Sequence, residues 1–233
     1  MRIQCKICGG NAPLHGVVDF NKSCEIDKGL ALPLRGIPVW YHRCPDCGFL
    51  FTARFDDWTA DDWRREVYND EYRTVDPDYI SGDRARANAA LILDAHSRTP
   101  IGAMLDYGGG DGYLAAYLRD KGLDATSFNP LLDAAPPPQG TFGLVTAFEV
   151  FEHTATPIET ARDALAFLRP DGVLLFSTLT CDGLAPQKTD WAYLAPRNGH
   201  VSIHSLASLD RMFSDLGWKL QHIHTGLHLA TAR

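Results

Sequence analysis

The stretch Met104–Leu118, MLDYGGGDGYLAAYL, most constrains what this chain can fold into. An apolar run closes on Asp106, glycines crowd the next positions, and an apolar-periodic segment follows. That order predicts a strand, a tight turn and a helix N-terminus. Glycine adopts backbone angles other residues avoid, so such a turn lets a ligand approach main-chain N–H groups closely. The spacing excludes two common ligand classes. Counting from Gly108 and Gly110, the third glycine of a dinucleotide fingerprint falls on Tyr113. The Gly-Lys-Ser/Thr of a P-loop is absent. What remains is an acid followed by alternating glycines: Asp106, Gly108, Gly110 and Gly112.

The segments around the turn predict an α/β fold. Asp124–Phe128 reads as a second strand ending at Asn129, and Gly143–Phe148 as a buried strand followed directly by Glu149-Val-Phe-Glu152-His153. Pro157 opens a helix expected to run to about Leu168, with Arg169-Pro-Asp-Gly172 ending it and Val173–Leu179 forming the next strand. Strands alternating with helices make a mostly parallel sheet whose ligands gather at the strands' C-terminal ends. Asn129–Gly140 is short for a helix plus a strand, so the third strand of such a sheet is expected to be missing. Ser205–Leu216 reads as a capped helix turning Leu206, Leu209, Met212, Phe213 and Leu216 inward. Gln221–His224 and Leu227–Ala230 should form a final antiparallel pair, with His222 and His224 on one face.

Four of the six cysteines fall in two pairs, Cys5-Lys-Ile-Cys8-Gly and Cys44-Pro-Asp-Cys47-Gly. A two-residue gap followed by glycine aims both sulfurs of a pair at one point, and two such knuckles supply four soft ligands for tetrahedral zinc. A redox dithiol is the alternative, although redox motifs do not usually come doubled. Four cysteines leave no open coordination position, so the metal's role would be structural. His15 or His42 could replace one ligand, while Cys24 and Cys181 read as ordinary thiols. Three regions are therefore expected: a zinc-binding segment over 1–55, a helical connector or lid over 56–100, and a Rossmann-like domain over 101–233.

In the connector, Thr59 is placed to cap a helix with acids in its first turn, and Asp76-Pro77 marks a break. Ser81 is expected to cap a second helix with Ala85, Ala89, Ile92 and Leu93 on one face. Tyr68, Tyr72 and Tyr79 either line a substrate pocket or pack these helices onto the main domain.

LDYGGGDGYLA, then VTAFEVFEH, then LRPDGVLLFST, in this order and spacing, resembles a class I S-adenosylmethionine-dependent methyltransferase. The resemblance covers about residues 100–233. Trp191-Ala-Tyr193-Leu and Asn198-Gly-His200 are similar to the last third of many small-molecule methyltransferases, and the cysteine-bearing N-terminus resembles a subset that tailors sugars and natural products. The resemblance implies that Gly108, Gly110 and Gly112 cradle the methionine portion of the cofactor and that Asp106 meets its ammonium. It puts Asn129 where relatives usually carry an acid for the ribose, a departure from the family pattern. Phe128, Phe148 and Glu149 are left as candidates for the adenosine pocket. If the acceptor is a hydroxyl, His153 is the first candidate base and His200 the second, with Glu152 orienting either. Tyr68, Tyr72 and Tyr193 are candidates for substrate contact.

A net charge of −7 gives no general attraction to nucleic acid or anionic membrane. No apolar run reaches the ~18 residues that suggest a membrane span. MRIQCKICGG lacks the apolar core of a secretory signal, so a cytoplasmic location is expected. The leading expectation is methyl transfer to a small molecule. The alternatives are an RNA or protein methyltransferase that grips its substrate with the zinc segment, and a non-catalytic protein that kept the fold. The oligomeric state is left open.

Overall fold

The computed structural model describes residues 2–29, 31–78, 82–184 and 188–233. Tyr79 and Ser81 lie outside the described residues. In chain order the strands are β1 (Arg2–Gln4), β2 (Asn11–Asp19), β3 (Pro38–Arg43), β4 (Leu50–Thr52), β5 (Met104–Tyr107), β6 (Ala125–Phe128), β7 (Phe142–Phe148), β8 (Leu168–Ser177), β9 (Ser202–Ile203), β10 (Trp218–His224) and β11 (Leu227–Ala232). The α-helices used below are α1 (Ala60–Glu66), α2 (Tyr72–Val75), α3 (Asp83–Arg98), α4 (Tyr113–Asp120), α5 (Pro157–Ala166) and α6 (Leu206–Asp215).

The chain divides into two compact units, one made of residues 1–77, 151–158 and 178–212, the other of 78–150, 159–177 and 213–233. The first holds a five-stranded sheet in the order β1-β2-β3-β4-β9, with every pairing antiparallel. Its last strand, Ser202–Ile203, pairs with Leu50–Phe51 from the far end of the sequence. An aromatic cluster of Phe20, Phe55, Trp58 and Trp63 fills part of this unit, with Phe55 and Trp58 edge to face at 4.6 Å. Helix α1 begins as the sequence predicts: Thr59 and Asp62 form a reciprocal capping box.

The second unit holds a six-stranded sheet in the order β10-β11-β8-β7-β5-β6. Pairings among β6, β5, β7 and β8 are parallel, and β11 and β10 close the edge antiparallel. This is a Rossmann-like sheet, and β6 is its terminal strand. Asn129–Thr141 contains neither helix nor strand, so nothing extends the sheet beyond β6 among the described residues. The core under this sheet is Ala89 and Ile92 of α3, Leu114, Ala115 and Leu118 of α4, and Met104, Ala125 and Leu144 of the strands. Ala85 and Leu93 pack at its margin, so the apolar face expected for α3 is the buried one.

Two local expectations need correction. Helix α5 ends at Ala166, and Arg169–Gly172 lies inside β8, because Leu168 already pairs with Phe142 and the register then jumps to Leu144 opposite Val173. The four residues bulge out of the ladder instead of separating helix from strand. At the other edge, the β10–β11 register breaks between His222 and His224, so simple alternation does not put both rings on one face. His228 is fully buried, and its Nδ1 lies 2.8 Å from His222 Nδ1.

Candidate active site and cysteine cluster

In the six-stranded unit the chain leaves β5 for β6 on one side and returns to β7 on the other. β5 is thus the switch point of the parallel sheet, where a crevice opens beyond the strand ends. The glycine turn occupies that place. Gly108, Gly110 and Gly112 all have positive φ, at 72°, 55° and 76°. The turn is pinned by the Gly108 N–H to Phe128 O at 2.7 Å and tightened by Gly110 to Gly108 O and Gly112 to Gly109 O. Those three N–H groups are therefore already engaged, one by β6 and two within the turn.

Gly109 was not singled out by the alternating pattern, yet it is tightly confined. A Cβ there would strike Asp106 Oδ2 and come within 2.5 Å of Ser127 Oγ. Asp106 is 3% exposed, and its Oδ1 accepts from Thr146 Oγ1 at 3.0 Å. Burial pushes its carboxyl up to about 7 even though the Thr146 hydrogen bond works the other way.

Asn129, at the end of β6, turns its Oδ1 back to the Leu131 N–H at 3.0 Å, while its own N–H donates to Asp133 Oδ2 at 2.6 Å. Phe148 packs partly against the core. Glu149 follows it at φ 54°, the one non-glycine residue at positive φ among the described residues. Its N–H reaches Ser177 O, and Ser177 Oγ donates back to Glu149 Oε1 at 2.6 Å. Phe128 is buried against Tyr107 and Phe167.

In the other unit, Glu152, His153 and His200 bring their ligand atoms within 4.8 Å of one another. Glu152 and His153 lie in the 3-10 turn Phe151–His153, and His200 follows the turn Pro196–Asn198. Tyr193 joins them: its hydroxyl donates to Glu152 Oε1 at 2.6 Å, and its carbonyl accepts from His200 Nδ1 at 2.8 Å. Tyr68 Oη is 3.2 Å from His153 Nδ1. Tyr72 is buried, with its hydroxyl 3.4 Å from Asn198 O, so it sits against the turn that precedes His200. The chain thus gathers His153, Glu152, His200, Tyr193 and Tyr68 in one place.

Three contributors to this place were not assigned from the sequence. Gly199 sits at φ 91°, and a Cβ on it would come 2.9 Å from His153 Nδ1 and 3.0 Å from Tyr68 Oη. Tyr41, from β3, donates to His200 O at 2.6 Å. Cys24, read as an ordinary thiol, has its Sγ 3.7 Å from His200 Nδ1 and its N–H on Asn198 Oδ1. The Asn198-Gly-His200 triplet was the available signal for the first of these; nothing local announced the other two.

The cysteine pairs form two matching knuckles. Gly9 donates to Cys5 O and Gly48 to Cys44 O, and both glycines have positive φ. The four sulfurs lie within 4.8 Å of one another, with Cys5–Cys47 at 3.6 Å and Cys8–Cys44 at 3.5 Å. A tetrahedral ion with Zn–S bonds of ~2.3 Å holds sulfurs about 3.8 Å apart. The donor set and spacing therefore fit zinc. His42 instead has Nδ1 at 3.2 Å from Ala12 O, and His15 Nε2 lies 3.1 Å from Lys188 O. Cys181 is buried with its thiol toward Gly48 O, and burial raises its pKa to about 11.

A family model described as a methyltransferase domain matches residues 80–223. The chain belongs to that family. Its fold is also that of solved methyltransferases. The plantazolicin methyltransferase BpumL in complex with SAH is similar at a TM-score of 0.52 and 12% identity, over 75% of this chain and 94% of that one. A chain from the complex between the Haloferax volcanii Trm112 methyltransferase activator and the putative methyltransferase is similar at a TM-score of 0.50 and 16% identity, over 70% of this chain and 96% of that one. No curated protein matches in sequence. No helix among the described residues is long and apolar enough to cross a membrane.

Proposed function

We propose that this methyltransferase moves a methyl group from S-adenosylmethionine to a hydroxyl of a small molecule of the sugar or natural-product class. The observation that carries the cofactor half is the buried Asp106 carboxyl beneath the glycine turn at the sheet's switch point. A carboxylate desolvated to that degree is stabilised by a nearby cation, and the methionine portion of the cofactor brings an ammonium. Gly108, Gly110 and Gly112 would let the backbone approach that portion. Asn129, Phe148 and Glu149, at the ends of β6 and β7, are the residues for the ribose and adenine. Asn129 would do this without the charge of the usual acid, and its Oδ1 already serves the local turn.

The cofactor, when bound, supplies a methyl group already activated on sulfur, so orientation contributes much of the rate. For a hydroxyl acceptor the remaining task is removal of its proton. His153 is the first base, with Tyr68 against its Nδ1, and His200 is the second. Tyr193 fixes the His200 ring through its carbonyl and Glu152 through its hydroxyl, which leaves Glu152 placed beside both rings. The class of acceptor rests on the resemblance of the cysteine-bearing N-terminus to tailoring enzymes. A net charge of −7 also favours a small acceptor over a polyanion. Zinc held by Cys5, Cys8, Cys44 and Cys47 would act structurally, since all four positions are protein sulfur.

The test is His153→Asn. Transfer to hydroxylated small molecules, read as a mass gain of one methylene, should fall by at least a hundredfold with S-adenosylhomocysteine affinity unchanged. Retained transfer would remove His153 from the role of base.

A further inference from the structure

We propose that Glu152, His153 and His200 form a second metal site, one that takes a divalent first-row transition ion apart from the four cysteines. The donor set is two imidazoles and one carboxylate, with ligand atoms all within 4.8 Å. Two histidines and a carboxylate on one side of an ion leave the remaining coordination positions open, the arrangement of catalytic rather than structural centres. The set contains no sulfur, so it differs in kind from the cysteine cluster and favours harder ions.

Each donor is also held from outside, as metal ligands are. His200 Nδ1 faces the Tyr193 carbonyl at 2.8 Å. A carbonyl oxygen can only accept, so Nδ1 carries the ring proton and Nε2 carries the lone pair. Glu152 is fully buried, and its Oε1 is fixed by the Tyr193 hydroxyl at 2.6 Å. His153 is steadied by Tyr68, and the missing side chain at Gly199 leaves it room. A buried carboxylate beside two imidazoles lowers the cost of bringing a cation into this interior.

The ion would add a function to the cluster. In the metal-loaded protein the open positions take an oxygen of the acceptor, and a hydroxyl bound there gives up its proton to water more readily. This last clause rests on the methyl-transfer reading; the binding of metal does not. The base assignment for His153 describes the metal-free protein.

Metal binding is measurable without any acceptor. The full chain, first loaded with zinc at the cysteines, is titrated with Mn(II), and the free-ion signal is followed by electron paramagnetic resonance. The expected result is uptake of about one Mn(II) per chain, weakened at least tenfold in Glu152→Gln, His153→Asn and His200→Asn. No uptake by the wild-type chain, or uptake by the three variants as tight as that of wild type, would overturn the site. Co(II) added to the zinc-loaded wild-type chain keeps the test independent of how the variants fold. Weak d–d bands without thiolate-to-cobalt charge transfer are expected. Charge transfer from sulfur would put the ion on the cysteines and contradict the proposal.

Discussion

Tyr193 gives its hydroxyl proton to Glu152 Oε1 over 2.6 Å and, through its carbonyl, receives the Nδ1 proton of His200 over 2.8 Å. One residue thereby sets the position of a buried carboxylate and the tautomer of an imidazole. Tyr193→Phe removes the first of these bonds and keeps the second. Because Glu152 is fully buried, its lost donor is not replaced by bulk water. Leaving a buried acceptor without its donor costs about 1–3 kcal/mol. A urea melt should show a stability loss in that range, with methyl transfer falling as well. An unchanged midpoint would mean that the bond contributes nothing.

Gly199→Ala tests the packing on the other side of the cluster. The added methyl would press on His153 Nδ1 and Tyr68 Oη, and alanine disfavours the φ of 91° found there. Strain of this kind costs on the order of 1–3 kcal/mol. The variant should melt earlier and lose transfer activity more than tenfold while still binding S-adenosylhomocysteine. Wild-type turnover would show that His153 does not need its present position.

Asp106 makes stability depend on pH in a stated direction. Its folded pKa, pushed up to about 7 by burial, lies above the unfolded value. Between these two values the folded chain holds more protons than the unfolded one, so this contribution falls as pH rises and levels off above the folded pKa. In Asp106→Asn that decline disappears. Urea midpoints measured from about pH 5 to about pH 8 should therefore flatten in the variant relative to wild type. The same change should weaken S-adenosylhomocysteine, because the amide offers its ammonium no charge. A slope identical to wild type would mean that Asp106 is not the group responsible.

Cys44→Ser tests the four-sulfur site. Wild-type protein should carry about one tightly held zinc per chain by elemental analysis. The variant should lose it, together with the protection of β1–β4 against hydrogen exchange. Metal binding of on the order of 10–16 kcal/mol in isolated fingers is large beside the stability of a small sheet. Zinc retained by the variant would count against these four ligands.

The parts of the fold written in local patterns were legible in the sequence. The glycine turn, both cysteine knuckles, the Thr59 cap and the alternation of β5 to β8 depend on residues a few positions apart. The shortness of Asn129–Gly140 for a helix and a third strand was also visible, and among the described residues that stretch holds neither helix nor strand. What escaped was set by distant partners. Ser202–Ile203 has no local reason to join β4, and Tyr41 has none to meet His200. Glu149, at positive φ just past β7, bonds to Ser177 at the end of β8, a partner far away in sequence. The break after His222 and the bulge at Arg169–Gly172 are register effects that alternation along one strand does not contain.

Calorimetric titration of zinc-replete protein reads out whether the glycine turn above Asp106 holds S-adenosylmethionine. S-adenosylmethionine and S-adenosylhomocysteine should each bind with a stoichiometry of about one per chain, as one glycine turn per chain requires. Their affinities should drop more than tenfold in Asp106→Asn. No heat of binding with either compound at millimolar concentration would mean that the turn does not hold the cofactor.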